Sequence, residues 1–173
     1  CIGLPLRDGS MAERSRFLFV GKISQEKGVH LAIDYAKELN VPLDIVGGLI
    51  ASEFDSPYLK QIEQACDGER IQLHFNVTEQ EKIIYMQNAK AAVYPNQQDE
   101  ANWLTGRELW CCGTPTIAYN RGSMMEITPA MGWLVTDKAG FLHAMQDIHT
   151  RGFSFLTWGE EVKAMSSKTV IPR

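Results

Sequence analysis

The chain has 173 residues, and 17 Lys and Arg against 21 Asp and Glu give it a formal net charge of −4. This acidic balance argues against a protein that binds the phosphate backbone of nucleic acids, because such proteins are normally basic. Hydrophobic residues make up 45% and charged residues 22%, which predicts one globular domain and excludes disordered, collagenous and coiled-coil chains. No apolar run reaches the roughly 18 residues that a membrane-spanning helix needs, and the N-terminus lacks the pattern of a signal peptide.

Short apolar runs alternate with helical patterns along the chain. The run 17–20 is uninterrupted and ends in Gly21, as a buried parallel strand does. Apolar residues within 29–36 recur three and four positions apart, as on one face of a helix. The predicted elements, in chain order, are strand 17–20, helix 29–36, strand 43–46, helix 58–66, strand 71–75, helix 79–88, strand 91–94, helix 104–112, strand 116–119, short helix 124–127, strand 133–135, helix 137–148 and helix 159–165.

This alternation predicts an α/β fold, a Rossmann-like three-layer sandwich with a parallel sheet of about six strands, because repeated β-α-β units require right-handed crossovers over a covered sheet. Thr78 followed by Glu81 is a capping box that marks the start of helix 79–88. Open parallel sheets bind ligands beyond the carboxyl ends of their strands. Functional residues are therefore expected in the loops 21–28, 47–57, 76–78, 95–103 and 120–126.

The four cysteines, Cys1, Cys66, Cys111 and Cys112, form no CxxC pair. So few cysteines in a chain of this length are not typical of a disulfide scaffold, and we predict four reduced thiols in a cytoplasmic protein. Neither the cysteines nor the histidines show the spacing of metal ligands, so no metal site is predicted.

The loop after the first strand carries two lysines beside the start of a helix. Lys22 and Lys27 flank this start, and Ser24 is the predicted N-cap. A helix N-terminus has free N–H groups and about half a positive charge, so the arrangement suits a diphosphate, although two solvated surface lysines would give the same pattern. The chain has neither GxxxxGK[ST] nor GxGxxG, which removes the main support for a P-loop ATPase or a Rossmann NAD site.

The loop 95–103 is rich in carboxylates and amides, which hydrogen-bond to vicinal sugar hydroxyls. Glu100 and Glu108 would lie about 12 Å apart along a continuous helix, so they would contact two parts of a long ligand rather than act as a paired acid and base. Two structural alternatives stay open. Thr105 and Glu108 fit a T-x-x-E capping box, and Trp103 either packs in the core or stacks on a ligand.

The order of a strand, GKISQEKG, a helix, a Glu-x7-Glu segment and CGTPTIAYNRGSMMEI resembles the C-terminal, donor-binding domain of GT-B fold glycosyltransferases of family 4, the glycosyl transferases group 1. The resemblance covers residues 17–158. It implies the C-terminal half of a GT-B fold in a cytoplasmic enzyme of polysaccharide biosynthesis, whose full form can sit peripherally at a membrane. Such an enzyme transfers a hexose from a UDP-, GDP- or ADP-sugar to a carbohydrate or lipid-linked acceptor, with retention and without a cofactor or metal.

The same resemblance implies a division of the chain. Residues 1–12 would be an interdomain linker and residues 13–173 the nucleotide-sugar-binding domain, while the N-terminal acceptor domain is absent. The chain would then be a fragment that is inactive alone. The alternatives are a non-catalytic nucleotide- or sugar-binding module and one half of a GT-B-like sugar-nucleotide epimerase.

The resemblance also implies roles for individual residues. Lys22 and Lys27 would contact the diphosphate and stabilise it as a leaving group, and Glu100 would contact the donor sugar, so these three are the implied catalytic residues. Glu108 would bind the ribose hydroxyls. The complete implied nucleotide-sugar site comprises Gly21, Lys22, Lys27, Asn76, Val77, Glu100, Trp103, Leu104, Thr105 and Glu108, with the backbone around Asn76 and Val77 lining the nucleobase.

The sequence departs from the family pattern within this site. The family usually has Phe-Gly at the positions of Asn102 and Trp103. A glycine there lets backbone N–H groups approach the sugar or phosphate closely. Trp103 is therefore expected to block or reshape that approach, which favours the binding-module alternative.

Overall fold

Strands and helices alternate along the computed structural model, which describes residues 14–48 and 56–152. The strands are β1 (Phe17–Lys22), β2 (Leu43–Gly48), β3 (Ile71–Phe75), β4 (Ala91–Tyr94), β5 (Thr116–Tyr119) and β6 (Gly132–Val135). The α-helices are α1 (Val29–Leu39), α2 (Pro57–Ala65), α3 (Glu79–Asn88), α4 (Leu104–Cys111) and α5 (Lys138–Arg151). Short 3-10 helices, Gln25–Lys27 and Gly122–Glu126, follow β1 and β5.

The six strands form one parallel sheet in the order β3-β2-β1-β4-β5-β6. Phe17 of β1 pairs with Leu43 of β2 on one side and with Ala91 of β4 on the other. The chain builds outward from β1 to β3 and then returns to add β4, so the strand order reverses between β1 and β4. In sheets of this kind a ligand crevice opens at that point, beyond the carboxyl ends of the strands. The predicted six-stranded parallel α/β fold is confirmed.

The core lies between the sheet and its covering helices. Phe17 and Phe19 of β1 are fully buried, as expected for a central parallel strand. Helix α1 buries the apolar stripe that its spacing predicts and contacts α2 and α5. Right-handed crossovers place α3 and α4 on the face of the sheet opposite α1. An ion pair between Lys82 of α3 and Glu108 of α4 joins these two helices.

The capping signals of the sequence had mixed outcomes. The capping box of α3 is confirmed: the Glu81 N–H donates to Thr78 Oγ1, and the Thr78 N–H donates to the Glu81 carboxylate. The prediction that Ser24 caps α1 is wrong, because a 3-10 helix intervenes and Gly28, with φ of +72°, occupies the N-cap. Only a residue that tolerates left-handed backbone geometry fits this junction.

Of the alternatives left open for Glu108, the capping box with Thr105 is not formed. Helix α4 has Trp103 at its N-cap, and Thr105 already lies within the first turn. No side-chain cap is formed at Trp103, whose side chain is only 8% exposed. Burial of this aromatic residue, rather than a polar cap, therefore fixes where the helix starts.

The remaining predicted elements are present, with ends that differ by up to three residues, and the short helix at 124–127 is a 3-10 helix at Gly122–Glu126. Helix ends fray, so shifts of this size carry no further meaning. The predicted linker 1–12 and the helix at 159–165 lie outside the described residues. None of the described helices is long and apolar enough to cross a membrane.

The prediction of four reduced cysteines is wrong. Cys66 and Cys112 are free thiols, whereas Cys111 takes part in a disulfide bond. Spacing along the sequence does not report which thiols a fold brings within bonding distance. Burial raises the pKa of Cys112 to about 11, which is typical of an inert thiol.

Candidate functional site

The loops after β1 and β4 pack directly against each other at the carboxyl edge of the sheet. The Gln97 N–H donates to the carbonyl oxygen of Glu26 at 2.8 Å. A Cβ at Gly28 would collide with the backbone of Pro95, so the first loop approaches the second as closely as only glycine allows. The contact joins the two loops at the place where the strand order reverses.

An ion pair crosses this junction. The Lys27 ammonium contacts the Glu100 carboxylate, and their side chains are 30% and 17% exposed. Burial lowers the pKa of Lys27, the nearby charge of Glu26 raises it, and the charge of Lys22 lowers it further. The structure therefore brings the three residues of the implied catalytic set together at the carboxyl ends of the strands. Lys27 and Glu100 are in contact, and Lys22 is close enough to lower the pKa of Lys27.

The backbone of Glu100 is held by the loop after β5. The Ser123 N–H donates to the Glu100 carbonyl oxygen at 2.7 Å. Gly122 has φ of +54°, and a Cβ there would lie 2.6 Å from the backbone N and O of Glu100. The Arg121 guanidinium donates to the Gln97 carbonyl oxygen at 2.7 Å. The only local signal for this support in the sequence is a glycine in a polar loop.

Glu108 projects from α4 toward α3. Its carboxylate, 43% exposed, lies 3.3 Å from the Lys82 ammonium, which is 20% exposed. Lys82 also contacts Glu79, at 2.7 Å. Lys82 is absent from the predicted site because it lies 26 residues before Glu108 and nothing local to it marks the contact.

Trp103 packs beneath the start of α4 rather than into the crevice. Its ring makes T-shaped contacts with Tyr94 and Trp110, at centroid distances of 4.6 and 5.7 Å. A Cβ at Gly106 would overlap the indole, so this glycine makes room for it. The placement favours the core interpretation of Trp103 over stacking on a ligand.

The next residues of α4 stay near the surface. Leu104, the first residue of the helix, is 59% exposed, and Thr105 is half-buried. The first N–H groups of any helix have no partner within it, so those of Leu104 and Thr105 can donate to an anion or hydroxyl.

The stretch implied to line the nucleobase follows β3, at the edge of the sheet. Asn76 is exposed and has φ of +54°, and Val77 is half-buried. Because β3 and β1 are separated by one strand, this stretch lies about 10 Å across the sheet from the end of β1, where Gly21 and Lys22 stand. Among the residues the structure describes, no three His, Cys, Asp or Glu side chains gather in a way that could hold a metal ion.

A family model for glycosyl transferases group 1 matches residues 8–143, well over half of the chain. The chain belongs to this family. The resemblance to the C-terminal domain of a GT-B glycosyltransferase is confirmed at the level of family and fold. A sequence search of curated proteins finds no match.

Solved structures with the same fold include several glycosyltransferases. Sucrose-phosphate synthase from Thermosynechococcus elongatus is 25% identical, with a TM-score of 0.74 over 88% of this chain and 41% of that one. Anabaena Alr3699/HepE in complex with UDP and glucose is 19% identical, with a TM-score of 0.62 over 91% and 49%. The UDP-forming trehalose-phosphate synthase from Burkholderia vietnamiensis is 12% identical, with a TM-score of 0.73 over 91% and 40%. This group 1 domain therefore spans half or less of the length of these structures.

Proposed function

We propose that this domain holds the nucleotide-diphosphate sugar of a glycosyltransferase of family 4 type, in the crevice between the carboxyl ends of β1 and β4. The observation that carries the proposal is the Lys27–Glu100 contact, because it places a cation and a carboxylate from two separate loops at one point of that crevice. The Lys27 ammonium suits a diphosphate, and the Glu100 carboxylate suits a sugar hydroxyl.

The diphosphate would lie against Lys22, Lys27 and the N-terminal end of α1. As the bond between sugar and diphosphate breaks, negative charge grows on the leaving group. Fixed cations and helix N–H groups stabilise that charge without reorganisation, and electrostatic stabilisation of this kind is usually the largest catalytic contribution. These groups supply positive charge from the protein itself, so the proposal does not require a metal ion.

Other residues would orient the donor. The Glu100 carboxylate accepts hydrogen bonds from the sugar, and Glu108 accepts them from the ribose hydroxyls. Backbone groups of Asn76 and Val77 line the base, whereas the first N–H groups of α4, at Leu104 and Thr105, face the diphosphate or sugar. Holding the donor at several points contributes orientation, which lowers the entropic part of the barrier.

The complete enzyme in this proposal is cytoplasmic and transfers a hexose, with retention, to a carbohydrate or lipid-linked acceptor bound by a second, N-terminal domain. The half-length coverage of the solved structures supports a two-domain enzyme of which this chain is one part. The proposal then expects no transfer by this chain alone. The nucleotide would be UDP, GDP or ADP.

A non-catalytic binding module is the second candidate. Trp103 favours it, because the resemblance places a glycine there to admit the donor. Trp103 is 8% exposed and packs against Tyr94, however, so its ring does not occupy the crevice between β1 and β4. The donor-domain proposal therefore remains the better supported of the two.

Calorimetric titration with UDP, GDP and ADP tests the proposal. We expect one diphosphate to bind selectively and Lys27→Ala to weaken it by about 1–3 kcal/mol, the range for losing a charge-assisted hydrogen bond. Lys90→Ala is the matched control. Lys90 is also a partly buried lysine, but it precedes β4 and so lies at the amino ends of the strands, opposite the crevice. Absence of binding to all three diphosphates, or equal binding by Lys27→Ala and the wild type, would overturn the proposal.

A further inference from the structure

Lys82 is a half-buried cation outside the set of residues proposed to touch the donor. It lies in α3, four residues beyond the Thr78 cap, and its backbone N–H donates to the Thr78 carbonyl oxygen at 2.9 Å. Asn76 and Val77 immediately precede that cap. A single turn of helix therefore connects the stretch proposed to line the base with the cation that contacts Glu108.

The ammonium of Lys82 is fixed between two carboxylates. It lies 2.7 Å from Glu79 and 3.3 Å from Glu108, on opposite sides of the junction between α3 and α4. Burial alone would lower the pKa of Lys82, but the hydrogen bonds and charges of Glu79 and Glu108 outweigh it and raise the pKa. Lys82 is thus a charged anchor at neutral pH.

The contact restricts the carboxylate of Glu108. Lys82 reaches Oε2, and a carboxylate offers a second oxygen that accepts hydrogen bonds. A glutamate that is 43% exposed would otherwise sample several rotamers, each of which presents its oxygens differently. With one oxygen anchored, the other keeps a defined direction.

We propose that Lys82 is a positioning residue that holds the Glu108 carboxylate ready to accept hydrogen bonds from the ribose of the donor nucleotide. This inference rests on the proposed function, in which Glu108 binds ribose. It adds that α3 contributes to discrimination between ribose and deoxyribose, by acting on α4 rather than by touching the sugar itself.

The test compares the diphosphate that binds best among UDP, GDP and ADP with its 2′-deoxy counterpart, by calorimetric titration. In the wild type we expect the deoxynucleotide to bind about tenfold more weakly, because a hydrogen bond to a charged group is lost. In Lys82→Met we expect this discrimination to fall to about threefold or less, since the carboxylate is no longer anchored. Lys82→Arg, which keeps the cation, should retain the discrimination, as should Lys90→Met at the far edge of the sheet.

The ratio of the two dissociation constants separates positioning from other effects. Loss of a positive charge weakens the binding of the diphosphate and of its 2′-deoxy counterpart equally, because both are anions. General destabilisation also affects the binding of both, so neither effect changes the ratio. Equal discrimination in Lys82→Met and the wild type, with its loss in Glu108→Gln, would overturn the role of Lys82 and leave the donor site intact. Binding of no diphosphate by the wild type, or full discrimination in Glu108→Gln, would overturn the role of Glu108 and this inference with it.

Discussion

Replacing Glu100 with Gln should tighten the binding of a free nucleoside diphosphate and weaken the binding of the corresponding nucleotide sugar. The Glu100 carboxylate contacts Lys27, the cation proposed to hold the diphosphate. A diphosphate that binds Lys27 must therefore replace Glu100 as its ion-pair partner, and it then lies close to a carboxylate that has lost its cation. Glutamine keeps the shape of the side chain and removes its charge.

The magnitude follows from two opposing contributions. A carboxylate about 8 Å from one phosphate charge costs about 0.5–1 kcal/mol at an effective permittivity of about 40–80, so Glu100→Gln should lower the dissociation constant of UDP about two- to fivefold. For UDP-glucose the same change removes a hydrogen bond from a sugar hydroxyl to a charged group, about 1.5–3 kcal/mol. The loss exceeds the gain, and the sugar nucleotide should bind several-fold more weakly.

Titration of the wild type and Glu100→Gln with both ligands checks this opposition of signs. Glu38→Gln is the control, because it also breaks an ion pair with a lysine, Lys138, at 2.7 Å. Glu38 lies nine residues beyond Val29, the first residue of α1, and so about 14 Å along the helix axis from the proposed diphosphate site. The control should bind both ligands as the wild type does. Unchanged or weaker binding of UDP by Glu100→Gln, with a normal control, would refute competition for Lys27.

Two further predictions concern stability and reactivity. Thr78→Ala should lower the free energy of unfolding by about 1 kcal/mol in thermal denaturation, the usual loss for an N-cap. The N–H and hydroxyl of Thr78 lower the pKa of Glu81. The stabilisation by that carboxylate is therefore complete above its ordinary pKa of 4.5 and is lost as the pH falls through the lowered pKa of the folded state. A loss of stability in Thr78→Ala that grew on acidification would contradict this. Cys112, with a pKa near 11 and 1% exposure, should resist iodoacetamide at pH about 8 until the domain unfolds, as peptide mass mapping would show.

The parts of the fold that were predictable from sequence are those with a local cause. β4 ends where expected because Pro95 follows its apolar run, and α3 starts where expected because Thr78 and Glu81 satisfy each other within one turn. At Thr105 the same kind of signal failed. There the burial of Trp103, a tertiary effect, overrides the local preference for a polar cap.

The candidate site was predictable as a set of residues but not as a set of contacts. Loops after strands identify Lys27 and Glu100, yet their contact exists only because β4 pairs with β1, and the alternation of elements does not specify that order. Lys82 and Glu108 meet across two helices for the same reason. Contacts between distant segments depend on sheet order and helix packing, which a single sequence does not reveal.

The position of Trp103 leads to a final prediction, since it stands where the resemblance expects glycine. If the indole obstructed the donor, Trp103→Gly would improve diphosphate binding at little structural cost. The ring instead fills a buried space bounded by Tyr94 and Trp110, with Gly106 left small to admit it.

Trp103→Gly should therefore leave a cavity and lower the free energy of unfolding by about 3–5 kcal/mol, as large-to-small changes of buried aromatic residues do. Diphosphate affinity, measured below the unfolding transition, should stay the same or fall, because the start of α4 loses its anchor. Stronger binding with little loss of stability would instead mean that the indole limits access to the crevice. The geometry favours the first outcome, since a side chain that is 8% exposed has little surface left with which to exclude a ligand.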